Sequence, residues 1–334
     1  MDTIRNARRA YFDTGYQLRR DRKSPARNRL SSDSFWSVLS FPVASGSRLE
    51  LAFRPVIYRG ESRGFSGTQF SGPMSGNAYG LGLDWLLSSR WHSRAEIRGE
   101  TYPGAPANLG GRFALGYSAS DSARLELSLE RAVVADSLHS EVGTLSEGVF
   151  VGQVRSNLAS FGFATSSFQH GLDFYSTVSS GFYEGRNLER NWRAGFDGGF
   201  GKTLRSYAPY IRAGYGITFF TFEHDQSALP GSGVRLSRSG GYFSPRYFLN
   251  NFAVLGLSGK LGRGTEWFVE GSLGIQQVED RFSGLDQARL SSTFQAQLTI
   301  PVTNRFRLDV SYNYLNVGNA YQRNLFRASL RTYF

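Results

Sequence analysis

The stretch RFRLDVSYNYLNV at residues 305–317 alternates apolar and polar side chains over most of its length. Phe306, Leu308, Val310, Tyr312 and Tyr314 share one face of an extended strand, and Arg305, Arg307, Asp309, Ser311 and Asn313 share the other. In a strand, successive side chains point to opposite faces, so this is a two-faced strand, apolar on one side and charged on the other. One such strand fits any half-buried sheet, but the pattern recurs along the chain. Leu49, Leu51 and Phe53 alternate with Arg48, Glu50 and Arg54; Leu125, Leu127 and Leu129 alternate with Arg124, Glu126 and Glu130; Phe294, Leu298 and Ile300 alternate with Gln295, Gln297 and Thr299. No segment has a helical period long enough to cover so many apolar faces. The pattern therefore predicts an all-β chain closed into a barrel with its apolar surface outward, facing lipid.

Composition agrees. The 334 residues include 39 Gly, 27 Phe and 17 Tyr but two Met, and mean hydropathy is −0.33. No run approaches the roughly 20 consecutive apolar residues of a membrane helix, whereas a membrane barrel needs only alternate residues to face lipid. Cysteine is absent, which removes disulfides and thiolate metal sites from consideration. The opening MDTIRNARRAYF lacks the apolar core of a secretory signal, and residues 1–8 read as the remnant of a periplasmic linker, with the barrel over 9–334.

About sixteen strands are expected, near 9–19, 33–43, 47–58, 77–87, 92–102, 109–118, 122–133, 149–163, 171–183, 189–200, 208–222, 247–261, 265–278, 289–301, 304–316 and 323–334. An even count, with both termini in the periplasm, suits an up-and-down antiparallel barrel. Short connections (44–47, 120–123, 302–305) alternate with long ones (20–32, 59–76, 134–148, 223–246), as short periplasmic turns alternate with long extracellular loops. The chain ends LFRASLRTYF, with Phe326, Ala328, Leu330, Thr332 and Phe334 on one face. This resembles the terminal strand of outer-membrane barrels that the barrel-assembly machinery reads, so Phe326, Leu330 and Phe334 are its expected signal.

The net charge of +11 is concentrated at the start, where residues 1–30 hold nine Lys plus Arg against three Asp. RRDRKSPARNR at 19–29 is expected in an external loop, near the phosphates of lipopolysaccharide. Arg outnumbers Lys 35 to 3, and guanidinium forks suit phosphates and sugar hydroxyls. No recognition helix or aromatic binding platform accompanies these cations, so nucleic acid is not an expected partner.

The strand phase places Arg48, Arg54, Arg94, Arg98, Arg112, Arg124, Arg193, Arg212, Arg307, Arg327 and Arg331 toward the lumen. Glu50, Glu96, Glu100, Glu126, Glu130, Asp197, Glu270 and Asp309 join them, a mixed wall that can bond hydroxyls without concentrating one class of ion. Phe220 and Phe222 fall on the same face, where rings could stack on pyranoses; the plainer expectation is that the charges pair and hold the lumen open. Catalytic groupings are thin. His92, His139, His170 and His224 lie in or beside expected connections without a zinc-type i, i+4 partner. Asp136, Ser137 and His139 are too close in sequence to converge on one proton path. Neither an enzyme nor a metal or other cofactor is expected.

Two segments resemble a known family. RAVVADSLHSEVGT (131–144) carries Arg131, Val133, Asp136, Ser137, Leu138, Ser140, Gly143 and Thr144, and GGYFSPRYFL (240–249) carries Gly240, Gly241, Tyr242, Phe243, Ser244 and Pro245. Both look like stretches in the C-terminal domain of the outer-membrane subunit of bacterial cellulose synthase. The resemblance implies a sixteen-stranded porin that passes a nascent β-glucan across the outer membrane. It also implies partners: the polysaccharide chain, outer-membrane lipid and lipopolysaccharide, the barrel-assembly machinery, a periplasmic tetratricopeptide-repeat region and an inner-membrane synthase. No repeat of about 34 residues is visible here. Independently, two glycines and Pro245 would hold Tyr242 and Phe243 stiffly in a long loop, forming a gate or a plug over the lumen. A diffusion porin for small solutes and a barrel translocating surface lipoproteins are the competing readings. Neighbouring genes discriminate, since a membrane glycosyltransferase and a periplasmic glycanase favour export.

Overall fold

The computed structural model describes residues 9–23, 29–44, 46–61, 74–146, 148–167, 171–230, 233–262, 264–279, 288–318 and 321–334, so the expected linker at 1–8 lies outside the described residues. The strands are β1 (Tyr11–Lys23), β2 (Arg29–Ala44), β3 (Ser47–Glu61), β4 (Met74–Leu86), β5 (Trp91–Tyr102), β6 (Ala105–Ser118) and β7 (Ala123–Val133). A helical turn α1 (Leu138–Val142) and the three-residue β8 (Thr144–Ser146) follow. The chain continues through β9 (Val149–Ser167), β10 (Leu172–Arg186), β11 (Asn191–Arg205), β12 (Tyr210–Phe222), β13 (Tyr247–Leu261), β14 (Thr265–Glu279), β15 (Arg289–Pro301), β16 (Phe306–Val317) and β17 (Tyr321–Tyr333).

All but β8 join one antiparallel sheet in sequence order, and β1 pairs with both β2 and β17, so sixteen strands close into a barrel without a free edge. The seam runs from Tyr11↔Tyr333 to Lys23↔Gln322, with a register shift after Asp21, and the Phe334 amide donates to the Ala10 carbonyl at 3.0 Å. Closure satisfies the backbone groups that an open sheet would strand in hydrocarbon. The outward face carries exposed Leu51, Phe53, Leu81, Ile97, Leu127, Leu129, Phe161, Val178, Leu273 and Phe294, the surface a lipid solvent requires.

One end of the barrel has tight connections, at 45–46, 87–90, 119–122, 168–171, 206–209, 262–264 and 302–305. Short side chains shape them: Ser88 Oγ accepts from the Arg90 and Trp91 amides (3.3 and 3.2 Å), and Thr303 Oγ1 from those of Arg305 and Phe306 (3.1 Å each). The other end holds the long connections, but not every connection there is long, since β5–β6, β10–β11 and β16–β17 are joined through only 103–104, 187–190 and 318–320.

The expected loop at 20–32 is mostly strand. β1 runs to Lys23 and β2 starts at Arg29, so only 24–28, outside the described residues, connects them. The charges that suggested a loop are carried by strand faces: Arg19 and Asp21 are buried on the inner wall, and Arg20 reaches Asp33 at 3.3 Å. Strands β9 and β10 are likewise longer than expected.

The arrangement predicts a labelling pattern. Cysteine at exposed Pro103 or Ala107 should react with an impermeant thiol reagent on intact cells, and cysteine at Ser88 or Asp121 should react only after the outer membrane is opened. The opposite pattern would invert the barrel. Leu330, exposed on the outer face beside the seam, makes a second prediction. We propose that Phe326, Leu330 and Phe334 form the assembly signal, and Leu330→Asp should cost up to about 2 kcal/mol. The yield of heat-modifiable barrel should fall, and an unchanged yield would remove Leu330 from the lipid face.

Candidate functional site: the lumen and its docked loops

The strand register puts Arg48, Glu50 and Arg54 on the opposite face from Leu51 and Phe53, and the same parity holds round the barrel, so the expected lining residues share the inner wall. Most of their charges form ion pairs, some across strands and some two residues apart along one strand. Glu50 accepts from Arg94 (3.0 Å) and from the Tyr11 hydroxyl (2.9 Å), and Arg94 also reaches Asp84 (3.2 Å). Arg54 faces Glu100 at 3.7 Å, Arg98 binds Glu96 at 2.8 Å, and Glu126 joins Arg112 (3.1 Å) and Arg124 (3.2 Å). Arg212 meets Asp173 at 2.9 Å and Arg307 meets Asp309 at 2.8 Å. For Glu130, Asp197 and Glu270 no ion pair forms among the described residues, and Arg193 and Arg327 donate instead to Ser179 Oγ (3.0 Å) and Gln17 Oε1 (2.8 Å).

Four inner-wall carboxylates absent from the sequence reading, Asp13, Asp21, Asp84 and Asp173, take up arginines there; Arg331 binds Asp13 at 2.7 Å, for example. They were legible by parity, since Asp13 and Asp84 alternate with exposed Phe12 and Leu83. The result is a wall of polar groups with little net field.

At the long-loop end, two segments that looked like external loops fold into the mouth. In 134–148, Ser137 caps α1: its Oγ accepts from the Ser140 amide at 3.0 Å, and Ser140 Oγ accepts from the Ser137 amide at 3.0 Å. Leu138 and Val142 pack against Leu30, Val56, Tyr58 and Tyr102 of the wall. Glu141 is buried and accepts from the Tyr58 hydroxyl through Oε1, and its other oxygen, Oε2, has no hydrogen-bond partner among the described residues. Burial pushes its pKa up to about 7, with Arg19 and Arg54 opposing and Glu100 adding to the shift.

In 223–246, Tyr242 is completely buried. Its ring stacks on Tyr183 at 5.2 Å and meets Phe222 edge-on at 5.9 Å, and its hydroxyl donates to Gln226 Oε1 (3.0 Å) and accepts from Asn191 Nδ2 (2.9 Å). Gly240 and Gly241 turn the chain back onto the Gln226 carbonyl (3.0 and 2.9 Å), Ser244 Oγ accepts from the Gln226 amide (2.7 Å), and the Pro245 carbonyl accepts from the Phe222 amide (3.2 Å).

The two loops, about a hundred residues apart in the chain, dock on each other. Asp136 accepts from the Phe243 amide at 3.1 Å. His139 Nε2 lies 2.8 Å from the Ser239 carbonyl and Nδ1 2.9 Å from Thr144 Oγ1. A carbonyl only accepts, so Nε2 carries the proton and Nδ1 accepts from the hydroxyl. Burial pushes the His139 pKa down to about 4. Two glycines in left-handed backbone make room for the imidazole: a Cβ on Gly152 (φ 102°) would lie 2.5 Å from the His139 carbonyl oxygen, and one on Gly241 (φ 66°) 3.0 Å from His139 Cδ2. Asp136, Ser137 and His139 thus have separate structural partners and share no proton path.

Phe222 is only 4% exposed beneath Tyr242, so it offers no face to a sugar in this conformation, correcting the expectation of an open aromatic track. Phe220 stacks on Phe248 at 4.5 Å, with Phe243 edge-on at 6.0 Å and the Arg193 guanidinium 5.0 Å from its ring centre. Sequence reasoning missed that the two family-like motifs meet, and no local signal encodes that contact.

A structure titled as a bacterial polysaccharide outer-membrane secretin superposes with a TM-score of 0.68 at 12% identity, covering 98% of this chain and 99% of that one. The FrpB iron transporter from Neisseria meningitidis matches with a TM-score of 0.48 at 11% identity, over 97% of this chain and 60% of that one. No curated protein matches. The first likeness establishes the barrel fold and the second carries no argument. The family model described as the cellulose synthase operon protein C C-terminus matches residues 57–324, and this outer-membrane β-barrel belongs to that family.

Proposed function

We propose that this barrel is an outer-membrane porin for export of a nascent exopolysaccharide, passive and driven by synthesis behind it, and that cellulose or a related β-glucan is its cargo. The observation that carries the reading is the wall. Arginines held by carboxylates present hydroxyl-bonding groups with little net field, which suits a neutral or lightly substituted glycan better than a polyanion. Family membership and the secretin-like fold support the same reading. The docked segments at 134–146, 223–230 and 233–246 act as the gate. Lifting 240–245 away uncovers Phe220, Phe222 and Phe248 as one aromatic strip on the inner wall, where a pyranose can stack.

In planar bilayers, the barrel with its loops released should be blocked by soluble β-1,4-glucan oligomers. Phe220→Ala and Phe248→Ala should weaken that block by about 0.5–1.5 kcal/mol per ring. Tight block by uronic-acid oligomers with strong anion selectivity would instead mark an acidic cargo, and insensitivity to every oligosaccharide would mark a general diffusion porin.

A further inference from the structure

Near the long-loop end, the outward strand positions carry a cluster of cations. On β7, β9 and β10, Arg131, Asn157 and Phe182 are cross-strand neighbours on the outward face, as are Arg155 and Glu184 one step further out. Arg131 Nη1 reaches Glu184 Oε1 at 2.7 Å, and Arg190 Nη2 reaches the other Glu184 oxygen at 3.8 Å. Arg155 donates at 2.7 Å to Oδ1 of Asn108, a buried residue opposite Glu100, which anchors its guanidinium at the wall, and it has Arg131, Arg186 and Glu184 as charged neighbours. Neither Arg155 nor Arg186 forms an ion pair among the described residues. Arg131 and Arg190 therefore share one carboxylate, and Arg155 and Arg186 add two more cations beside it, unlike the paired arrangement of much of the inner wall.

Their level in the membrane is marked. Arg190 packs 4.4 Å over the Phe182 ring, which meets Trp192 edge-on at 5.5 Å, and Trp192 is half exposed on the outer face. Aromatic rings at the end of an apolar band sit at the headgroup level. Below them lie exposed Val178, Leu129 and Phe161. A ligand here has acyl chains along that band and anionic groups at the arginines. Arginine forks match phosphate oxygens, and an excess of three cations exceeds what one monoanionic phospholipid neutralises.

We propose that Arg131, Arg155, Arg186 and Arg190 form a binding site for the phosphorylated glucosamine headgroup of lipopolysaccharide, with its acyl chains against the wall of β7, β9 and β10. The site lies on the outer wall and does not rest on the export reading. It replaces the 19–29 segment, whose charges are largely committed to strand faces, as the place where this chain meets lipopolysaccharide.

The test is native mass spectrometry of the purified full chain titrated with bisphosphorylated lipid A. Arg155→Gln/Arg186→Gln should retain lipid A at least about tenfold more weakly, while Lys202→Gln, an exposed outer-face cation toward the short-turn end, should bind as wild type. Glu184→Gln removes the competing carboxylate and should bind more tightly, a gain that misfolding cannot mimic. Lipid A stripped of its phosphates should bind more weakly to the wild type and no differently to the double variant. Equal retention by all variants, or equal binding of the dephosphorylated lipid to wild type, overturns the proposal. Displacement of bound lipid A by millimolar inorganic phosphate also overturns it, by showing a free-anion site.

Discussion

Replacing Tyr242 with Ala is expected to turn a barrel of low, flickering conductance into a steadily open one. Tyr242 is fully buried between Tyr183 and Phe222, and its hydroxyl joins Gln226 and Asn191. Truncating a buried aromatic costs about 3–5 kcal/mol, here charged mostly to the docked state, because the undocked loop keeps its ring in water. That is about two orders of magnitude or more in the docking equilibrium. The barrel itself should survive, since its strands pair without this loop. Tyr242→Phe keeps the stacking and loses two hydrogen bonds, so its effect should be about 1–3 kcal/mol, smaller than that of Tyr242→Ala. Single-channel recording of both variants, with folded barrel confirmed by heat modifiability, checks this. A wild-type-like current from folded Tyr242→Ala would refute the gate.

The second large effect is a pH dependence that the wild type conceals. Glu141 has a docked pKa of about 7 against an ordinary 4.5, and His139 about 4 against an ordinary 6.5. For Glu141 the docked state holds the proton more strongly, so its contribution is complete below 4.5 and is lost as pH rises through 7. For His139 the docked state resists protonation, so its contribution is complete above 6.5 and is lost as pH falls through 4. Between about pH 4 and 7 the two slopes oppose each other, and docking of the wild type should change little.

Each substitution unmasks the other group. His139→Gln should leave a gate that opens as pH rises from 4.5 to 7, and Glu141→Gln one that opens as pH falls from 6.5 to 4, each by up to about tenfold per pH unit in the docking constant. The groups facing Glu141 are Tyr58, Arg19, Arg54 and Glu100, and the His139 ring bonds the Ser239 carbonyl and Thr144, both neutral, with no charged group against it among the described residues. Open probability against pH reports the slopes. Two variants sloping the same way would show that burial of these groups does not set the docking energy.

Much of the barrel was readable because period-two alternation is local. Leu51 and Phe53 must face lipid whichever strand lies beside them, so the count of strands, the lining residues and the outward terminal face follow from sequence parity. The same logic failed at 19–23. A run of Arg and Asp reads as a solvated loop, yet Arg19 and Asp21 are buried on the inner wall, where they pair with each other along β1 and Arg323 reaches Asp21 from β17. Whether a charged strand end lies in the barrel or beyond it depends on residues such as Arg323, 302 positions away, which meets Asp21 at 3.3 Å.

By itself, the sequence determined a closed membrane barrel and the mixed chemistry of its inner face, since both follow from which side of a strand each residue occupies. The tertiary structure decided what happens at the mouth and on the rim. Asp136 meets the Phe243 amide 107 residues away, Tyr242 seals Phe222, and Arg131 reaches Glu184 across an intervening strand. Those contacts join segments with no common period, and only barrel closure sets the distances between them.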